Sequence, residues 1–278
     1  MVPRRILRVT LALILVALLA AVGSVAVRRP LNDRRWVPEQ AVLPTVRFEG
    51  SLAHVDAVRD FAYTARDRYV PRYASRTYDL DQLEAVWFVL TPFSQSWRGP
   101  AHSFVTFGFA DSQYVSISVE ARKEPGEQYG LVTGLTRRFE LMYVIGEERD
   151  LIGQRAAFGD YPVYLYPIRA PREKIRAMFV AMLERANALR EQPEFYNTIT
   201  NNCTSNLVRH VNTVAPKRVP TGIKTILPGY TDEVALRLGL LDTSLDIEEA
   251  RARFRINERA KRAMGDPAFS RRIRENAG

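Results

Sequence analysis

The sequence predicts an α+β protein in which a small antiparallel sheet packs against helices, with an N-terminal transmembrane helix and a helical C-terminal tail. Three observations predict it: an uncharged apolar run from Val9 to Val27, a succession of β-branched and aromatic runs between Ala85 and Ile168, and a change to helical spacing after Pro171. Strands that follow one another without intervening helices imply antiparallel pairing.

The apolar run is preceded by Arg4, Arg5 and Arg8 and closed by Arg28 and Arg29. Its length approaches the roughly 20 residues that span a bilayer, and the leading arginines would stay in the cytoplasm. Ser24-Val25-Ala26 places small residues where a signal peptidase would cut, so residues 1–29 read as a signal anchor or a signal peptide. In both cases the chain from about Pro30 onward lies outside the cytoplasm, on the periplasmic side of the inner membrane or secreted to the periplasm if the signal is cleaved. Residues 30–44 hold three prolines and mixed charges and read as a tether.

The strands are expected at Ala85–Thr91, Ser103–Phe109, Tyr114–Glu120, Phe139–Ile145 and Val163–Ile168, with a hairpin turn at Asp111-Ser112-Gln113. After Pro171 the residues Ile175, Met178, Phe179, Met182, Leu183, Ala186 and Leu189 recur at helical spacing, which predicts about five turns. Leu207, Val208, Val211 and Val214 repeat that period until Pro216 and Pro220 stop it. Residues 45–240 are read as a thiol-enzyme domain and 241–278 as a charged helical tail, including a helix from about Asp246 to Met264.

The formal charge is +9, of which +5 belongs to the first 29 residues. The remaining basicity suits an anionic membrane surface or a solvated face, and no nucleic-acid motif claims it. The three histidines, at 54, 102 and 210, show no metal-ligand spacing, and no phosphate-binding glycine loop is present. No metal or cofactor is expected.

Cys203 is the only cysteine, so an internal disulfide is impossible even in an oxidising compartment. It lies in Asn201-Asn202-Cys203-Thr204-Ser205-Asn206, at the start of the second amphipathic helix. Unpaired amides and the positive end of the helix dipole favour a thiolate there and offer donors to an oxyanion. A free cysteine is also often a small buried hydrophobe, but this polar flank is a poor match for an apolar pocket. Asn201, Asn202 and Thr204 are candidates to hold an oxyanion, and capping alone explains at least one of them.

A cysteine nucleophile needs a base. His210 is seven residues along the same helix, about 10 Å up its axis, and cannot reach the sulfur. His54 has no polar neighbours in sequence and reads as structural. His102, at the beginning of a strand, is the candidate base, with a strand-end histidine of no catalytic role as the alternative. Alternation puts Ser116, Ser118 and Glu120 on one face of the next strand, making Glu120 the candidate that orients the imidazole. With a turn centred on Ser112, pairs summing to 223 or 224 would face each other, placing His102 opposite Ala121 or Arg122. Arg122 then binds a substrate carboxylate or phosphate, or forms a solvated pair with Glu120.

The segments Ala101–Phe109, Ser118–Glu124, Tyr143–Ile152 and Pro193–Thr204 together resemble the Lnb N-terminal periplasmic domain family, over roughly Val37 to Gly239. The resemblance implies a link to N-acylation of bacterial lipoproteins and an acyl thioester on Cys203. The order His before Cys, with Asn202-Cys203 opening a helix, is also similar to the permuted papain-like group that includes lecithin:retinol acyltransferase. Tyr196, in the last segment, joins the oxyanion or substrate-binding candidates. The implied partners are a lipid or lipoprotein substrate and the inner membrane. In the lipoprotein acyltransferase a multispanning portion follows the domain, whereas no apolar run after Val27 is long enough to span, so an integral-membrane partner is expected. A cell-wall peptide or amide hydrolase and a non-catalytic envelope binding module are the alternative functions.

Overall fold

Among the described residues eight strands form one sheet whose central members are covered on both faces. The computed structural model describes residues 4–94, 97–215, 218–220, 222 and 227–275. The first three residues of the anchor, Pro216 and the last three residues of the tail therefore lie outside the described residues. The sheet strands are β1 (Thr45–Glu49), β2 (Leu52–Arg59), β5 (Tyr73–Asp79), β6 (Leu83–Pro92), β7 (Ala101–Phe109), β8 (Tyr114–Arg122), β9 (Glu140–Gly146) and β10 (Tyr164–Pro167). Their order is β1-β2-β9-β8-β7-β6-β10 with β5 also on β2, while β3 (Ala62–Ala65) and β4 (Arg68–Val70) pair separately.

The sheet is large rather than small, which corrects the expectation. The addition comes from β1, β2 and β5, whose exposed and charged positions hide the strand pattern. Among the described residues the strands of this sheet pair antiparallel except for one parallel bridge, Arg59 with Gly146, between β2 and β9.

Every residue of β7 is buried. A strand in that position must be apolar or hydrogen-bonded on both faces. On one face Val105, Phe107 and Phe109 pack with Phe179 of α4 (Arg172–Glu191) and Leu207 of α5 (Cys203–Val214). The Phe107 and Phe179 rings are 4.8 Å apart. On the other face Phe104 joins a second cluster with Leu151 of α2 (Glu148–Leu151) and Ala156 of α3 (Gly153–Phe158). That arrangement makes three layers, helices on both sides of a mixed sheet.

The tail is helical but its long charged helix is broken. After α6 (Thr231–Arg237), α7 (Ile247–Phe254) starts at Asp246, whose carboxylate accepts from the Glu248 and Glu249 amides. The chain then kinks so that the Ile256 amide bonds to the Val163 carbonyl, and α8 (Asn257–Ala263) follows, with α9 (Phe269–Arg272) last. Ala250, Phe254, Ile256, Ala260, Phe269 and Ile273 are buried, so the tail helps build both clusters.

α1 (Arg4–Ala26) contains a 19-residue stretch, Arg8–Ala26, of mean hydropathy 2.6 with none of it buried. Among the described residues it is the one helix long and apolar enough to cross a membrane. The connection after it does not hang free. Trp36 is buried under the Arg122 guanidinium, 4.2 Å from its ring centre, and the Val37 amide bonds to the Lys123 carbonyl. Gln40 bridges the Ala121 carbonyl and the Lys123 amide. The segment is thus fastened to the end of β8.

Candidate active site

Cys203 is the first residue of α5. Asn202 caps the helix: its side-chain oxygen accepts from the Ser205 amide at 2.8 Å, and Ser205 Oγ accepts from the Asn202 amide at 2.8 Å. This reciprocal box fixes where the helix begins, and hence the position of the thiol. The sulfur is buried against β7, where the Ser103 amide donates to it and Thr204 Oγ1 stands 3.8 Å away.

The β7–β8 ladder pairs Val105 with Ile117 and Gly108 with Tyr114, a register one to two residues tighter than expected. The turn runs through Phe109 to Gln113, with Ser112 in the left-handed region at φ 65°. Carried forward, this register brings His102 opposite Glu120 rather than Ala121 or Arg122. His102 Nε2 lies 2.7 Å from Ser118 Oγ and 3.2 Å from Glu120 Oε1, and Ser118 Oγ donates to the same Glu120 oxygen at 2.7 Å. Because the Ser118 proton points to Glu120, its oxygen must accept from His102, which places the imidazole proton on Nε2. Nδ1 is then the nitrogen left to take a proton from Cys203.

The charges reinforce one another. Burial pushes the Cys203 thiol up, but its hydrogen bond to His102 and the imidazolium charge outweigh this and hold it below the ordinary thiol value. Burial pushes His102 down, while the Glu120 carboxylate and the bonds to Cys203 and Glu120 raise it to about 9. Burial raises Glu120, yet the His102 charge and hydrogen bond, with Arg155 and Ser118, hold it well below the usual carboxylate range. The combination shifts the balance from neutral thiol and imidazole toward a thiolate–imidazolium pair.

A cleft of about 400 Å³ opens over this set, walled by Phe93, Val119, Tyr129, Leu131, Tyr196 and Arg155. Tyr196 is buried, and burial together with the nearby Cys203 charge keeps its phenol protonated. It is therefore a neutral donor in the wall. A second cavity, about 330 Å³ and almost wholly apolar, lies behind the Ser103–Thr204 hydrogen bond, between β6, β7, α4, α5 and α6.

Of the residues singled out in the sequence, Cys203, His102, Glu120 and Tyr196 share the cleft. Asn202 lines it, but its side chain is committed to the cap and to the Thr198 carbonyl. Asn201 is corrected: its side chain binds Glu194, the Phe195 carbonyl and Asn206, holding the approach to the helix. Thr204 bonds to Ser103 and lines the apolar cavity rather than the cleft, while its Oγ1 also stands 3.8 Å from the sulfur. Arg122 is 2% exposed and bonds to Gln40 O, Ala41 O and Asn32 Oδ1, so it fastens the N-terminal connection instead of forming a solvated pair with Glu120. His54 does have polar company, Thr77 at 2.9 Å, far out on β2. His210 bonds to the Tyr143 hydroxyl at 2.9 Å.

Three participants were not anticipated. Ser118 is on the polar face of β8 that the alternation predicts, but its bridge between His102 and Glu120 is not readable from it. The Ser103 amide belongs to the backbone and carries no residue signal. Arg155 comes from α3, in a stretch with no readable period, and donates to Glu120 Oε1 at 2.9 Å.

No curated protein and no solved structure matches the chain. A family model, that of the Lnb N-terminal periplasmic domain, matches residues 69–229, more than half of the chain and the whole of the His102, Glu120, Arg155 and Cys203 set. The chain belongs to the Lnb N-terminal periplasmic domain family.

Proposed function

We propose that this chain is a membrane-anchored cysteine enzyme of the envelope that passes an acyl group through a thioester on Cys203. The observation that carries the reading is the hydrogen-bonded set of buried Cys203 and His102 with half-buried Glu120 at the floor of a cleft. The Cys203 thiolate attacks the carbonyl carbon of an ester or amide, a C–S bond forms, and the carbonyl electron pair moves onto oxygen. The tetrahedral intermediate collapses, the leaving oxygen or nitrogen takes the proton from His102, and the thioester remains. An amine or water, giving its proton to His102, then attacks and releases the thiolate. The helix-start amides and the Tyr196 hydroxyl are the donors for the oxyanion.

An acyl chain of a phospholipid or lipoprotein is the substrate class favoured by the mainly apolar cleft walls and the adjoining apolar cavity. The inner membrane, entered by α1 with the domain on the periplasmic side, is the proposed location, and an integral-membrane partner the proposed companion. A histidine strand preceding a cysteine helix is what a permuted papain-like enzyme would use.

The test is intact-protein mass after incubating the full chain with phospholipid vesicles and, separately, with peptidoglycan fragments. A hydroxylamine-sensitive acyl adduct from phospholipid, lost in Cys203→Ala, is expected. An adduct that survives Cys203→Ala would overturn the mechanism, and turnover of peptidoglycan fragments alone would overturn the substrate class.

A further inference from the structure

The lip of the cleft carries an apolar patch that joins the end of the anchor helix. Val132, Leu131, Ile199 and Leu135 are 74%, 51%, 52% and 42% exposed. Contiguous exposed apolar side chains of this size mark a contact surface. They are held together by backbone. The Leu135 amide bonds to the Val132 carbonyl, the Thr198 amide to the Gly134 carbonyl at 3.2 Å, and Thr198 Oγ1 to the Leu131 carbonyl at 2.9 Å. A Cβ on Gly134 would meet Thr198 Oγ1 at 2.1 Å, so this close approach requires glycine.

On one side the patch is continuous with the cleft, because Tyr129, Leu131 and Thr198 belong to the wall that holds Cys203. On the other it meets the anchor: Arg137 Nη1 donates to the Ala26 carbonyl at 2.7 Å, and Arg28 Nη1 to the Thr136 carbonyl at 3.3 Å. Ala26 is the last residue of the membrane-length helix. A loop bonded to that residue stands at the height where the hydrocarbon ends and headgroups begin. Arg28 and Arg137 bond there to carbonyls, which carry no compensating charge, and their cations suit anionic headgroups.

We infer that residues 129–137 and the turn at Ile199 form a second membrane contact, set into the lipid leaflet from which α1 emerges, so that the cleft opens directly onto that leaflet. The occupant of the patch is lipid. Apolar side chains sink into the headgroup and acyl boundary, arginines lie beside phosphates, and an acyl ester reaches Cys203 sideways along Leu131 and Tyr129 without crossing water. The contact stands on geometry alone, whereas the delivery of substrate rests on the acyl-transfer reading above.

The experiment uses the full chain reconstituted in phosphatidylethanolamine–phosphatidylglycerol vesicles. In a Cys203→Ser background, single cysteines at Val132→Cys, Ile199→Cys and Glu84→Cys carry an environment-sensitive fluorophore. Glu84 is the second residue of β6, at the end of that strand away from His102, and serves as the aqueous control. Blue-shifted emission quenched by nitroxide-labelled lipid is expected at 132 and 199 and not at 84. Emission at 132 and 199 as aqueous as at 84 would overturn the contact.

For delivery, the pair Val132→Asp and Leu135→Asp is introduced into the chain with Cys203 intact. Loss of two interfacial apolar contacts predicts about a tenfold or greater fall in turnover of vesicle-embedded lipid. Alkylation of Cys203 by soluble iodoacetamide should stay unchanged. Quenched labels with undiminished turnover in the Asp variant would overturn delivery along this lip. A chain that contacts lipid and turns none over counts against the acyl reading and leaves the contact standing.

Discussion

Arg155 donates to Glu120 Oε1 at 2.9 Å, the same oxygen that lies 3.2 Å from His102 Nε2. One carboxylate oxygen thus couples a helix on one face of the sheet to His102 on β7, the proposed base for Cys203. The two partners are unequal. His102 is buried and contributes both charge and hydrogen bond to Glu120, while Arg155 retains solvent contact and has further support from the Leu151 carbonyl.

Glu120→Gln therefore removes a charge-assisted bond worth roughly 1.5–3 kcal/mol, and a loss of about 10- to 150-fold in acyl-adduct formation is expected. Arg155→Ala removes a partly solvated pair worth about 1 kcal/mol or less, a loss of about fivefold at most. Rates of adduct formation at pH 7 test the order. A larger loss in Arg155→Ala than in Glu120→Gln would contradict the assignment of Glu120 as the group that positions His102.

The ion pair sets a pH window for thiol reactivity. Cys203 loses its proton below the ordinary thiol value because the imidazolium beside it stays charged, and His102 holds its own proton up to about 9. Iodoacetamide labelling should rise at a pH below that of a free thiol and change again only as His102 titrates. In His102→Asn the imidazolium is gone, burial is opposed only by the bonds from the Ser103 amide and Thr204, and the rise should move to higher pH than in the unsubstituted chain. An unmoved profile in that variant would show that His102 does not act on the thiol.

His210 predicts an acid sensitivity unrelated to the site. Burial and the neighbouring Arg209 and Arg185 push it down to about 4, and it bonds to the Tyr143 hydroxyl. Its folded value lies below the unfolded one of about 6.5, so the unfolded chain binds the extra proton between these values. The resulting stabilisation is present above about 6.5 and lost as pH falls through about 4, a change of roughly 2–4 kcal/mol. Glu140, raised by burial to about 7, acts in the opposite direction. The difference in unfolding free energy between the chain and His210→Gln at pH 7 and pH 4 isolates the histidine, and an unchanged difference would place its pKa near normal.

Legibility followed how local each signal was. The period of Ile175 through Leu189 fixes a helix face without reference to the rest of the chain, and all seven of those residues are buried in α4. The Ser118–Glu120 alternation likewise survives folding, as does the helix start at Cys203, because a cap and a strand face are set by neighbours in sequence. Register is less local. It depends on how the backbone turns at Ser112, and a shift of one residue decides whether Glu120 or Ala121 faces His102. The polar residues around the thiol were chemically plausible, yet Asn201, Thr204 and Arg122 were each claimed by packing partners up to 101 positions away, Ser103 being the one across from Thr204. Arg155 had no pattern at all, since its role exists only once α3 lies over the sheet.

Another long-range partnership anchors the tail. Arg274 Nη1 donates to Glu148 Oε2 at 2.8 Å and Nη2 to Glu148 Oε1 at 2.5 Å, while its guanidinium lies 3.9 Å from the Trp87 ring centre and 4.3 Å from that of Tyr114. The Glu148 side chain is fully buried, and Thr106 Oγ1 also donates to it. Arg274→Ala would leave a carboxylate in the core with no counter-charge, for which a loss of roughly 3–5 kcal/mol is expected. The same substitution combined with Glu148→Gln removes the stranded charge and should recover much of that loss, because the penalty lies in the unpaired ion rather than in the missing contact. Denaturant unfolding of the full chain in detergent measures both. Neither variant should alter Cys203 labelling by iodoacetamide, since Thr106 and Glu148 lie on the far side of β7 from the helix that carries the thiol. Equal stability of the single and double variants would mean that solvent reaches Glu148 once the tail is loosened.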